Sequence, residues 1–342
     1  MENNLNQKKD IYWINALKAL CMIFVFFVHC QLYYGTILKF NNLIYPFYVN
    51  GFFFISGYLL FRKQLSTNCC SKNQKELLIS IMYKIVVPSI IFSIITFLPS
   101  CFIQGRNIDI QFFIHKTMGG GTYWFTSSLV VAELVVLLLL CTSIRNIWFY
   151  VISSILLCTF SMIIVQLDII DSNIWCWKQG LIALFFLSAG GLYWKYEKYC
   201  NFKFISFVTM LAIYVLTIIC LKEYNNALIS TLQIKPIGFI TSILSCMLLV
   251  FICKKATNFK ILTFIGQNSL GFYFLSGALP ITLSAIVKKI INLLNIEFTT
   301  TINHVILLLI FIICIILAYL VVSIMNKYFP WLFDLRLLKR KK

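Results

Sequence analysis

The segment Ile11–Gln31, IYWINALKALCMIFVFFVHCQ, decides how this chain must fold. It is long and apolar enough to cross a bilayer as one helix, yet it contains Lys18 and His29. Ionisable side chains are costly in hydrocarbon, so we expect both to face the interior of a helix bundle or a substrate-lined cavity. On an α-helix the two residues share one face, three turns and about 16 Å apart. This helix is therefore the candidate wall of a functional site.

The composition extends this interpretation to the whole chain. Of its 342 residues, 61% are hydrophobic and 12% are charged, and the mean hydropathy is +0.89. These values exclude an ordinary soluble protein and predict a multi-pass protein in contact with the lipid bilayer. The formal charge of +18 lies in short segments between apolar runs. That distribution is typical of charge that sets membrane topology, and it argues against a nucleic-acid partner.

The chain contains 13 cysteines, and most lie within apolar runs without the intervals of a metal site. We interpret them as small buried hydrophobic residues and predict neither a metal centre nor a redox role.

Apolar runs of about 20 residues predict an all-α integral membrane protein of about ten transmembrane helices, forming one unit over residues 1–342. An even number of spans places both termini on one side. Most of the 29 Lys and Arg residues fall on that side, so both termini are predicted to face the cytosol, in the inner or plasma membrane. The longest outer loops, 104–121 and 167–173, are expected to line a mouth. The predicted spans are 11–33, 44–62, 77–101, 122–142, 146–167, 175–194, 203–221, 234–253, 268–287 and 303–326.

The three histidines all lie toward the predicted outer face. Histidine is the side chain best suited to accept and return a proton near neutral pH. His115 precedes the fourth span and His304 begins the tenth, and we interpret both as interfacial polar residues. His29 differs because it lies among Phe and Val residues within a span and is aligned with Lys18. His29 is therefore the candidate proton carrier.

The first helix resembles the motif of a known family. Lys18 and His29, within ALKALCMIFVFFVHC, are similar to the first-helix motif of the membrane-bound acyltransferase 3 family, in which a basic residue, usually arginine, stands at this interval before an essential histidine. Further segments match that family in the expected order and cover most of the chain. They are GFFFISGYLLF at 51–61, YKIVVPS at 83–89, YWFTSSLVVAEL at 123–134 and GQNSLGFYFLSG at 266–277.

The resemblance implies an enzyme that moves an acyl group, most often acetyl, from acyl-CoA to a hydroxyl of a cell-envelope or exported glycan, with no bound cofactor. Transfer from a thioester to a sugar hydroxyl needs a base and stabilisation of the developing oxyanion. We assign the base to His29. Lys18 lies nearer the cytosol, where we expect it to hold the anionic donor or to fix a polar network that supports catalysis.

Five further residues are candidates for donor or substrate binding, and each also has a structural interpretation. Glu133 alternatively pairs with Lys18 as a polar anchor, Lys84 snorkels to the interface, and Trp124 belongs to an aromatic belt. Asn268 and Ser269 alternatively cap the ninth helix. The candidates are Lys84, Trp124, Glu133, Asn268 and Ser269.

The sequence departs from the family at two positions, which keeps other functions open. Lys18 stands where arginine is commoner, so charge is kept but bidentate geometry is lost. Ser276 stands where the late motif usually has histidine. One alternative is a transporter or exporter of a glycan or lipid-linked sugar, with the buried charges lining its path. Another is a catalytically inactive member of the family.

Overall fold

The fold is built from helices joined by short turns and loops. A computed structural model describes residues 2–65, 70–107, 109–142, 144–200, 204–221, 228–232, 234–256, 259–295 and 299–337, and it contains no strand within these ranges. The side chains of the first helix are described from Tyr12 onward. The α-helices are α1 (Glu2–Tyr34), α2 (Asn50–Leu65), α3 (Cys70–Ile81), α4 (Val87–Gln104), α5 (Ile110–Thr117), α6 (Trp124–Leu140), α7 (Ile147–Gln166), α8 (Trp177–Tyr196), α9 (Phe204–Leu221), α10 (Pro236–Lys255), α11 (Lys260–Gln267), α12 (Ser269–Leu294) and α13 (Thr300–Tyr328).

Seven helical segments of the described chain are long and apolar enough to cross a membrane. A helix overlaps each of the ten predicted spans, but α2 and α6 have only 16 and 17 residues, and α8 is not among the seven. The multi-pass architecture is confirmed, whereas the number ten and the side of the termini stay predictions. The seven segments are Tyr12–Tyr34, Gln74–Ile103, Ile147–Gln166, Phe204–Leu221, Pro236–Lys255, Ser269–Leu294 and Thr300–Tyr328.

Helix α1 lies at the centre of the bundle. It contacts α2, α10, α11, α12 and α13, and most of its side chains from Trp13 to Cys30 are buried. A helix that is apolar on all sides is surrounded either by other helices or by lipid, and the burial of α1 shows that its neighbours are helices. We refer to the two ends of the bundle as the Tyr12 end and the Tyr34 end, after the limits of this span.

Helices α2 and α8 approach each other closely because a glycine of each helix faces the backbone of the other. A Cβ atom on Gly190 would lie 1.9 Å from the Phe54 carbonyl oxygen, and one on Gly57 would lie 1.9 Å from that of Leu187. Small residues at a membrane helix interface allow this approach and increase dispersion contacts. Helix α1 contacts this pair through α2, and α6 contacts it through α8.

The span Gln74–Ile103 is continuous but widens near its start. The segment Met82–Val86 is a π turn, and Pro88 follows in the first turn of α4. Proline has no N–H to bond to the carbonyl of Lys84, and π turns are one way for a helix to accommodate such a position. The widened turn carries Lys84 on the side of the bundle where α11 ends and α12 begins.

Candidate functional site

His29 is held by a backbone carbonyl of α12. Its Nδ1 lies 2.7 Å from the Ser276 oxygen. A carbonyl can only accept a hydrogen bond, so Nδ1 carries the proton and donates it, and the neutral ring has its lone pair on Nε2. The contact therefore fixes both the tautomer and the orientation of a ring that can act as a base.

The imidazole lies in a small cavity of about 180 Å³ at the Tyr34 end. The walls come from α1, α6, α12 and the start of α2, and they combine aromatic rings with a few hydroxyl groups. Trp124, a predicted substrate contact, is part of this wall, so the structure brings it together with His29. The lining residues are Val25, His29, Tyr33, Tyr48, Val49, Phe52, Thr122, Tyr123, Trp124, Phe125, Tyr273, Ser276 and Gly277.

Ser276, which stands where the resembled motif usually has histidine, contacts His29 through its main chain. Its hydroxyl donates a hydrogen bond to the Tyr273 carbonyl at 2.8 Å, and its own carbonyl accepts the hydrogen bond from His29. Any residue with the same backbone geometry supplies that carbonyl. The departure from the family motif therefore leaves the support of His29 intact.

A larger cavity of about 400 Å³ adjoins the His29 cavity. The two share Tyr33, Thr122, Tyr123 and Gly277 as lining residues. Part of its wall is formed by loop 104–121, which contains α5. That this loop lines an outer mouth stays a prediction. Sequence reasoning missed the individual cations of this wall, although the loop position was a signal for them.

Lys84 lines a third cavity, of about 200 Å³, at the Tyr12 end. Asn268 lines it too, so two predicted donor contacts are brought together. The Lys84 ammonium lies 3.9 Å from a carboxylate oxygen of Asp334, and Arg336 contacts the same carboxylate at 2.7 Å. Hydrogen bonds from Arg336, and the nearby charge of Lys84, lower the pKa of Asp334. Sequence reasoning missed Asp334, an acid within the basic C-terminal segment.

Lys18 lies near Lys84, close enough for the two positive charges to repel each other. It forms no ion pair with Glu133, so the alternative of a Lys18–Glu133 anchor is wrong. The two side chains lie on α1 and α6, whose main helical neighbours differ. Glu133 lines neither the His29 cavity nor the Lys84 cavity.

Asn268 stands at the N-cap position of α12, but its side chain does not cap the helix. Its amide nitrogen donates to the Phe264 carbonyl at 2.8 Å, and its amide oxygen accepts from Asn326 of α13 at 2.7 Å. The capping interpretation is therefore wrong for Asn268, because the side chain is used to join α11, α12 and α13. Ser269 begins α12 and does not line the Lys84 cavity.

Four rings in contact run from the Lys84 cavity to the His29 cavity, and we call them the aromatic column: Phe333, Phe92, Phe274 and Tyr123. Phe92 stacks on Phe274 at 4.4 Å and on Phe333 at 5.8 Å between ring centroids. Tyr123 meets the edge of Phe274 at 5.0 Å and donates a hydrogen bond to its carbonyl at 3.0 Å. The column places a packed apolar wall between the two ends.

Among the described residues, no three His, Cys, Asp or Glu side chains converge as they do in a metal site. The chemistry available to the site is that of an oriented imidazole beside hydroxyl groups and aromatic rings. Such an arrangement suits proton transfer from a bound hydroxyl.

A family model described as an acyltransferase domain, acyltransferase 3, matches residues 11–325. The match covers nearly the whole chain, so the protein belongs to the acyltransferase 3 family and is a multi-pass membrane acyltransferase. No curated protein and no solved structure matches the chain.

Proposed function

We propose that the protein moves an acyl group, acetyl in the simplest case, from acyl-CoA to a hydroxyl of a cell-envelope or exported glycan, with His29 as the general base. The hydrogen bond from His29 Nδ1 to the Ser276 carbonyl carries this proposal. It leaves Nε2 unprotonated and oriented, which is the state that a base needs before the hydroxyl arrives.

In this mechanism Nε2 takes the proton of the acceptor hydroxyl while the hydroxyl oxygen attacks the thioester carbonyl. The tetrahedral intermediate collapses with cleavage of the carbon–sulfur bond. The imidazolium then returns its proton to the departing thiolate, so the products are an ester and free CoA. Tyr48 and Trp124 line the cavity and supply hydrogen-bond donors for the developing oxyanion.

The donor is assigned to the Tyr12 end of the bundle. Lys18 and Lys84 supply two neighbouring positive charges there, and Asn268 adds an amide beside Lys84. Phosphate groups of CoA favour such charges. We propose that this end faces the cytosol, where both termini lie, and that the glycan reaches His29 from the opposite side of the inner or plasma membrane.

The test is the rate of acetyl-CoA cleavage and of O-acetyl formation on a glycan panel by purified protein in nanodiscs. Changing His29→Ala should lower both rates by about a hundredfold or more, because it removes general-base catalysis. The matched control is His304→Ala, which removes a histidine on α13 that lines none of the three cavities. A His29→Ala protein that cleaves acetyl-CoA at the native rate contradicts the proposal, as does glycan transport without thioester cleavage.

A further inference from the structure

The cavity of about 400 Å³ at the Tyr34 end has two positively charged side chains on its wall, Arg106 and Lys116. The Arg106 guanidinium lies 5.9 Å and the Lys116 ammonium 5.8 Å from the centre of the Phe112 ring. Both cations are therefore gathered around one ring of α5. Arg106 also lies close enough to Tyr33 to interact electrostatically with it, which places the charge beside the wall shared with the His29 cavity.

No acid balances these charges within the cavity. Asp and Glu are absent from the lining residues. Neither Arg106 nor Lys116 forms an ion pair with an acid in the part of the chain that the structure describes. Asp109, the acid nearest in sequence, is used at the start of α5, where it accepts a hydrogen bond from the Phe112 N–H at 3.2 Å.

The remaining lining is suited to a polar ligand with an apolar face. The size falls within the range of about 300–1,000 Å³ that is typical of small-molecule sites. Hydroxyl groups of Tyr33, Thr96, Ser100 and Thr122 stand among aliphatic residues of α4 and α12. Sugars present this combination of hydroxyl groups and apolar ring faces.

We propose that this cavity binds an acidic glycan acceptor, with a carboxylate or phosphate group held by Arg106 and Lys116 and a neighbouring hydroxyl directed to His29. The inference rests on the proposed function, because it names the class of acceptor that the same site takes. Arginine and lysine bind carboxylate and phosphate through charge-assisted hydrogen bonds, and a cleft lined by one sign of charge concentrates ligands of the other. The four shared lining residues put such a ligand next to the imidazole.

The first experiment measures binding without turnover, using full-length protein in phosphatidylcholine nanodiscs and fluorescently labelled oligosaccharides. The probes are tetragalacturonate with its neutral methyl ester, and phosphorylated maltotetraose with neutral maltotetraose. Each acidic probe should bind about tenfold or more tightly than its neutral counterpart, since each cation contributes a charge-assisted contact. The tighter of the two acidic probes identifies the anionic group.

Variants then locate the preference. The double variant Arg106→Gln/Lys116→Gln should bind acidic and neutral probes alike, and Arg106→Lys should keep part of the preference. The matched control is Lys235→Gln, an exposed lysine before α10 that lines none of the cavities and removes the same charge. Equal binding of acidic and neutral probes by the native protein overturns the inference, as does a preference that survives in the double variant.

Two further experiments test whether Arg106 and Lys116 instead bind lipid headgroups or the CoA donor. If phosphatidylglycerol nanodiscs abolish the acidic preference, the cations bind lipid headgroups. If the double variant raises the KM for acetyl-CoA, the cations serve the donor. Either result overturns the inference. The His29→Ala protein should bind the acidic probe normally, because His29 serves the chemical step. Binding and thioester cleavage are therefore measured separately. A native protein that binds the acidic probe but cleaves no acetyl-CoA supports the acceptor site and disproves the proposed function.

Discussion

The polar side chains at the two ends of the bundle have different kinds of contact. At the Tyr34 end, His29 is fixed by a main-chain carbonyl and surrounded by rings and hydroxyl groups. At the Tyr12 end, Lys84 meets Asp334 from the C-terminal segment, while Lys18 meets another positive charge. At the Tyr34 end a ring is oriented by a single short hydrogen bond, whereas at the Tyr12 end Lys84 and Asp334 line a cavity with Lys18 nearby.

This difference separates two chemical tasks. Proton transfer requires a base whose tautomer and direction are set in advance, because a misplaced nitrogen cannot reach the hydroxyl. Binding a phosphate-bearing donor requires charge, which acts over a longer range and tolerates looser geometry. The aromatic column lies between the two ends, so the comparison can be tested by altering the column and each end in turn.

The largest expected effect comes from the middle of the column. Phe92 is 3% exposed and stacks on two rings, so Phe92→Ala should destabilise the protein by about 3 kcal/mol or more through lost contacts and a cavity. The matched control on the same helix is Phe102→Ala, since Phe102 is 79% exposed. Thermal unfolding in one detergent measures both. Equal losses for the two variants would show that the column is not a packed wall.

The second effect concerns the Tyr12 end. Under the proposed function, Lys18→Gln should raise the KM for acetyl-CoA by about tenfold, because one charge near the donor phosphates is lost. The kcat should change little, in contrast to His29→Ala. Steady-state kinetics of thioester cleavage measure both constants.

Two controls accompany this variant. Lys18→Arg keeps the charge and should retain most of the native KM. Lys255→Gln removes an exposed lysine near the same end of the bundle, where its ammonium lies over the Phe251 ring. If Lys18→Gln instead lowers kcat and leaves the KM unchanged, Lys18 takes part in the chemical step. That result would contradict the assignment of donor binding to the Tyr12 end and proton transfer to the Tyr34 end.

The smallest expected effect is at Ser276. Because His29 is held by the Ser276 carbonyl and not by its hydroxyl, Ser276→Ala should leave the rate of acetyl transfer within about twofold of the native rate. Initial rates with acetyl-CoA and an accepted glycan measure this. A loss approaching that of His29→Ala would mean that the hydroxyl itself takes part, and that serine has replaced the function of the family histidine.

Much of the fold and part of the site could be predicted from the sequence. Helix α1, with Lys18 and His29 within it, follows from local hydropathy and helical periodicity. Trp124 and His29 line one cavity, and Lys84 and Asn268 share another, while the roles of these residues in binding stay predictions. Periodicity could not show that Asn268 bonds to Asn326 instead of capping α12, because that choice depends on how α13 packs.

The sequence by itself determined that the chain crosses the membrane repeatedly and that a histidine and a lysine lie within its first span, because hydropathy and spacing are local properties. Only the tertiary structure decided what these residues meet. His29 donates a hydrogen bond to a carbonyl of α12, Lys84 forms an ion pair with Asp334, and Arg106 and Lys116 line a cavity that has no acidic lining residue. These partners are distant in the chain, and they are brought together by helix packing, which no short stretch of sequence encodes.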